Sequence, residues 1–212
     1  MLKKMVKFFP QNQKEIANKK NMKKITLTLT AMLISICAHA QVFMGVPVSG
    51  TTTEFSNQLK LKGFVLSSES TPKLVVMTGT LGGESVELLI AGTPKTHMTA
   101  KLVVIYPKEE TWHSLLGDYN KVKKIITEKY GEPDKGYEFF SDPYSLGDGY
   151  ELQAVRLEKC FYLQVWNANE KFPNQTLAVR MNKGLYVSLV YENDAMMLQK
   201  ESEQKQIDDS TY

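Results

Sequence analysis

Two histidines, His97 and His113, one cysteine, Cys160, and a loop acid pair, Asp142 and Asp148, are the first residues downstream of the N-terminal segment to weigh for chemistry. An ordinary zinc site needs two or three converging His or Cys ligands. His97 falls in a loop ahead of a strand and His113 follows Trp112 at a helix start, so no metal centre is expected. No G-x-S-x-G elbow or family-type cysteine signature marks a nucleophile. Cys160, between Lys159 and Phe161 at an expected hairpin, reads as a small half-buried thiol. A carboxylate pair for glycoside hydrolysis leaves no local motif, because its spacing is spatial. The sequence therefore assigns no catalytic residue.

Cofactor motifs are equally thin. Gly79-x-x-Gly82-Gly83 has the glycine content of a phosphate cradle, but such a cradle gains meaning when a strand leads through it into a helix. Here it leads from strand to strand and reads as a hairpin turn. Asp142 to Asp148 lacks the regularly spaced oxygen ligands of a calcium loop. Asn174-Gln175-Thr176 matches a glycosylation acceptor but reads as a turn into a strand. No cofactor and no metal is expected.

The aromatics Tyr137, Phe139, Phe140 and Tyr144 surround a Pro/Gly loop and could form a recognition surface, since exposed aromatics often anchor partners. Core packing at strand ends is the competing account, favoured by the burial tendencies of Phe and Tyr. These four are the candidate binding residues.

The elements that would position these groups follow a leader. Met22, Lys23 and Lys24 form a positive start, Ile25 to Cys37 is an apolar run, and Ala38-His39-Ala40 supplies small residues at its first and third positions. That is the layout of a secretory signal peptide, with the cut expected between Ala40 and Gln41. The apolar run is too short for a hydrocarbon core, which needs roughly 20 residues. Ile34-Ser35-Ile36-Cys37 loosely matches a lipobox, yet bulky Ile36 stands where that signal wants a small residue. Either Met22 is the true start, or the lysine-rich residues 1–21 lengthen the leader.

Removing the leader changes the charge. Residues 1–40 hold eight lysines and one acid, Glu15, so the formal +3 of the 212-residue chain becomes −4 over residues 41–212. A nucleic-acid binder shows a basic face or stripe. The short cluster Lys121-Val122-Lys123-Lys124 reads instead as the wet side of a helix, so no nucleic-acid partner is expected. With Cys37 removed, Cys160 has no partner within the chain and stability must come from packing.

The organisation expected is α+β, with tandem helix plus antiparallel-sheet units and the helices packed on one sheet face. A first unit spans residues 41–108. Thr51-x-x-Glu54 has capping-box form, Phe55 and Leu59 make an i, i+4 apolar pair, and Gly63 stops the helix. Strands are expected near 64–67, 73–77, 85–91 and 99–106, the third alternating Val86, Leu88 and Ile90 against polar neighbours. A second unit spans 109–193. Its helix, 111–130, carries Trp112, Leu115, Leu116, Tyr119, Val122, Ile125, Ile126 and Tyr130 as one continuous apolar face and ends at Gly131 and Pro133. Strands are expected at 137–140, 150–157, 161–166, 176–181 and 185–191, in an antiparallel meander. Residues 194–212 form a polar C-terminal tail, a short helix fraying into disorder.

The run Gly45-Val46-Pro47-Val48-Ser49-Gly50, followed by Glu54-Phe55, Leu59 and Gly63-Phe64, resembles the start of uncharacterised secreted proteins of Bacteroidetes. Tyr130-Gly131-Glu132-Pro133 and the polar tail are similar to theirs too, and the resemblance carries no activity with it. In architecture, tandem helix-then-sheet units resemble secreted beta-lactamase-inhibitor proteins and outer-membrane assembly lipoproteins of the BamE type. That likeness of topology implies a binding role and assigns no residues.

The function expected is that of an exported, non-enzymatic binding or interaction module, periplasmic or secreted. Its partner would be another envelope protein or a peptide, and no stable membrane span would remain after cleavage. The alternative is a small exported hydrolase with dispersed catalytic residues.

Overall fold

Thr51 closes both halves of its capping box: Glu54 N–H donates to Thr51 Oγ1 at 3.2 Å, and Thr51 N–H donates to Glu54 Oε2 at 2.9 Å. That fixes the start of α1, Thr52–Lys60, which buries Phe55 and Leu59 completely. The structure, a computed structural model, describes residues 42–170 and 172–211; the expected leader and its cut after Ala40 lie outside them.

The first strands are β1 (Val42–Phe43) and β2 (Val46–Pro47), which pair with each other. The main sheet has eight strands: β3 (Val65–Leu66), β4 (Leu74–Leu81), β5 (Glu84–Gly92), β6 (Thr99–Lys108), β7 (Lys135–Phe140), β8 (Cys160–Trp166), β9 (Gln175–Asn182) and β10 (Tyr186–Asn193). Their spatial order is β3-β4-β5-β6-β10-β9-β8-β7, antiparallel throughout. The remaining helices are α2 (Trp112–Tyr130), α3 (Glu151–Arg156) and α4 (Asp194–Thr211). This is an α+β fold in which two helix-then-meander halves join along β6 and β10 into one sheet.

Period-2 alternation sorts the sheet into two faces. One face carries Val75, Met77, Val86, Leu88, Ile90, Leu102, Val104, Leu189, Leu177 and Val179, all buried. On this covered side α2 adds Leu115, Tyr119, Val122 and Ile126, and the Trp112 and Tyr119 rings meet Tyr162 edge-on at 5.5 and 5.3 Å. Close approach here needs glycine. A Cβ on Gly79 would lie 2.5 Å from the Phe64 ring, and one on Gly136 would lie 2.5 Å from Gln164 Oε1.

The opposite, outer face carries a row in continuous register: Val76, Leu89, Val103, Val190, Ala178 and Val165. Six strands thus contribute an aliphatic side chain to one line across it.

Several expected boundaries change. Gly79 is inside β4, and the hairpin turn is Gly82-Gly83 alone, both at positive φ (61° and 88°), between paired Leu81 and Glu84. That is the backbone a two-residue primed turn demands. The strand expected at 150–157 is instead helix α3, because Glu151, Ala154 and Val155 turn inward together at helical spacing. The C-terminal segment is one 18-residue helix rather than a short helix fraying into disorder. Glu203 explains its length, since its carboxylate accepts from Lys95 N–H (2.6 Å), Thr96 N–H (3.3 Å) and Thr96 Oγ1 (2.7 Å) in the loop between β5 and β6. Among the described residues, no helix is long and apolar enough to cross a membrane.

Candidate functional site

The alternation along β7 and β8 decides which aromatics meet solvent. Tyr137 pairs with Leu163 and Phe139 with Phe161, all pointing to the outer face. Tyr137 and Phe139 are each 47% exposed and Phe161 is 42% exposed. The Phe139 and Phe161 rings stack at 4.9 Å with 21° between planes. Beside them is a pocket of about 400 Å³ whose outer-face side is lined by Tyr137, Phe139, Phe161, Leu163 and Arg180, with Glu158 and Lys183 at its wall and Val155, Cys160, Tyr162 and Met181 reaching it from the core side.

The four expected binding aromatics therefore separate. Tyr137 and Phe139 share this outer surface. Phe140 points to the covered face, where its ring lies 5.6 Å from Trp112 and 6.1 Å from Tyr162, and Tyr144 also packs against the core. Phe161, Leu163 and Arg180 complete the surface and were missed by sequence reasoning. The strand pattern holds their signal, but it becomes readable only once the β7–β8 register is known.

The covered side of the same strands holds a polar cluster. Glu138 Oε1 accepts from Tyr119 Oη (3.1 Å), Gln164 Nε2 (2.8 Å) and Lys123 Nζ (2.6 Å), and Gln164 Nε2 also donates to Tyr119 Oη at 3.0 Å. Burial pushes the Glu138 carboxyl upward, but Lys123, Tyr119 and Gln164 together outweigh it and hold the group below the usual carboxylate range. Burial is the main force raising the Tyr119 phenol. A carboxylate held ionised among three donors and a phenol held protonated form a structural clasp between α2 and β7–β8, because neither is poised to exchange a proton near neutrality.

The histidines do not converge. His97 precedes β6 and His113 follows it, at opposite ends of a ten-residue strand that spans roughly 30 Å at the usual rise per residue. His97 takes a positive φ of 54° in a tight loop, and its carbonyl accepts from Thr52 N–H at 2.9 Å. His113 is exposed on the first turn of α2. Cys160 opens β8 and is buried. Burial chiefly, then the nearby Glu151, pushes its thiol up to about 12, the opposite of what a thiolate nucleophile requires.

The Asp118 carboxyl is raised from its ordinary value. Burial pushes its carboxyl upward, Glu84 and Glu109 add to that, and Lys121 opposes it. Lys121 also pairs with Glu84. Of the loop acids, Asp148 accepts from the backbone N–H groups of Ser145 (2.8 Å) and Tyr150 (2.7 Å), stapling its own turn. Among the described residues, no group of three His, Cys, Asp or Glu side chains is placed to hold a metal ion.

Comparison with known proteins finds no matching family model, no matching curated protein and no matching solved structure.

Proposed function

We propose that the chain is an exported, non-enzymatic binding module whose partner, an envelope protein or peptide, docks at the β7–β9 end of the outer sheet face. The observation that carries this reading is the exposed trio Tyr137, Phe139 and Phe161, held on paired strands beside a pocket. Aromatic anchors are over-represented among the residues that dominate binding energy, and strands hold them at low entropic cost. The separation of His97 from His113 and the raised Cys160 thiol favour binding over the hydrolase alternative, because these three residues form no nucleophile and base pair.

The test is a crosslinked pull-down from the cell envelope with a C-terminally tagged full-length chain. It compares the wild type with a Tyr137→Ser, Phe139→Ser, Phe161→Ser triple variant. A specific protein recovered with the wild type and lost with the folded triple variant supports the reading, as does a bait N-terminus at Gln41. Equal recovery by both moves the partner surface elsewhere. Retained activity on hydrolase substrates that disappears in a folded His97→Ala, His113→Ala variant would replace the reading with the enzyme alternative.

A further inference from the structure

The pocket on the β7–β9 end is chemically lopsided. Its outer-face floor is apolar and aromatic, from Phe139, Phe161 and Leu163. Its charged groups do not cancel. Glu158 faces Lys183 at 3.9 Å, which leaves Arg180 over. Among the described residues, no carboxylate lies within ion-pairing distance of the Arg180 guanidinium. Its neighbours on the same face in the adjoining strands are Leu163 and Ser188, one apolar and one neutral.

Such an arrangement selects a ligand class. An arginine without a counter-ion, beside a low-polarity surface, offers its two-pronged donor fork to a planar anion, and carboxylate is the matching shape. The adjoining rings offer a flat apolar bed for whatever carries that anion. A volume of about 400 Å³ lies in the range of small-ligand sites, which are mostly apolar with a few placed polar groups.

We propose that this pocket binds a small monocarboxylate with an extended apolar body, the carboxylate on Arg180 and the body along Phe139 and Phe161. The inference rests on reading this end of the outer face as the binding surface and adds the class of ligand taken there. A dication or a sugar would leave the apolar bed unused, and a neutral hydrocarbon would leave Arg180 unpaired.

The test uses the full chain and dodecanoate kept below its aggregation threshold at about pH 7.5, where the carboxylate is ionised. Dodecanol and dodecyltrimethylammonium serve as the neutral and cationic comparators, and calorimetry gives stoichiometry and affinity. One molecule of dodecanoate is expected per chain, with Arg180→Gln weakening it by about tenfold or more. Dodecanol should bind the wild type and Arg180→Gln alike, and Phe139→Ser should weaken both ligands. Arg180 is exposed, so its variant folds, which circular dichroism verifies. Absence of saturable dodecanoate binding overturns the proposal, as does affinity indifferent to Arg180→Gln or matched by the ammonium amphiphile. A protein partner lost in the aromatic triple variant, with no dodecanoate binding, would leave the binding-module reading standing and remove this one. Arg180-dependent dodecanoate binding with no protein partner would support this proposal, keep this end of the outer face as the binding surface and overturn the protein or peptide partner.

Discussion

The two faces of one sheet differ in what a side chain must satisfy. On the covered face side chains have neighbours above them, from Phe55 and Leu59 of α1 or Leu115 and Tyr119 of α2, and the polar groups of Tyr119, Glu138 and Gln164 pair with one another. On the outer face Val76, Leu89, Val103, Ala178, Val165, Tyr137, Phe139 and Phe161 sit half-buried or exposed beside their cross-strand partners, while Val190 and Ser188 of β10 are buried. The same residue types therefore serve as core on one side and as available surface on the other. Binding is assigned by orientation and register rather than by composition.

The sharpest way to break that contrast is to hollow the covered face. Phe55→Ala is expected to cost about 3–5 kcal/mol in chemical denaturation, since the ring is wholly enclosed and its removal leaves a cavity that neighbours fill only in part. A cost below about 1 kcal/mol would mean α1 does not close the core. Gly79→Ala should cost about 1–3 kcal/mol by forcing the Phe64 ring aside. A Gly79→Ala, Phe64→Leu double variant should recover part of it, and additive losses would contradict the contact.

On the outer face Val76→Thr, in the middle of β4, is expected to cost about 1 kcal/mol or less, the whole span of strand preference at a half-covered site. A loss as large as that of Phe55→Ala would mean this face is packed too.

The last expectation concerns pH. Burial raises the Glu203 carboxyl, but the Lys95 and Thr96 amides, Gln199 and the Thr96 hydroxyl overcome it and bring it down to about 2. A folded-state pKa below the unfolded value means the carboxylate stabilises the fold above the unfolded value of 4.5. That contribution fades as pH falls from there through about 2. Thermal melts of Glu203→Gln should lie below wild type near neutrality and converge with it in acid. Parallel melting curves at all pH values would show that α4 is not held by this carboxylate.

How much of this was legible in the chain follows the range of the forces involved. The long helix α2 was readable because apolar residues recur at its own period, although of those expected on the face Leu115, Tyr119, Val122 and Ile126 are buried and Ile125 is exposed, and α1 was readable because Thr51 and Glu54 cap each other three residues apart. The segment 150–157 misled because Leu152, Ala154 and Arg156 can be counted as alternating, while Glu151, Ala154 and Val155 also fit one helical turn. Only tertiary contact chooses. The length of α4 depends on Glu203 reaching a loop 107 and 108 residues earlier, which no local pattern encodes. At the candidate site, alternation separates Phe139 from Phe140, but naming the inward one requires knowing that Phe140 stands opposite Cys160.

The join between the two halves has a consequence for how the chain is made. β6 takes β10 as its second neighbour, so the strand that completes the first meander is the last of the described strands to be synthesised. Until it arrives, Leu102 and Val104 lie beside an open row of amides and carbonyls, a template that any stray strand could occupy. Pairing across so long a stretch of sequence is slow. A chain that lacks residues 186–193 therefore keeps an unfinished edge on β6, which must be shielded until β10 closes it.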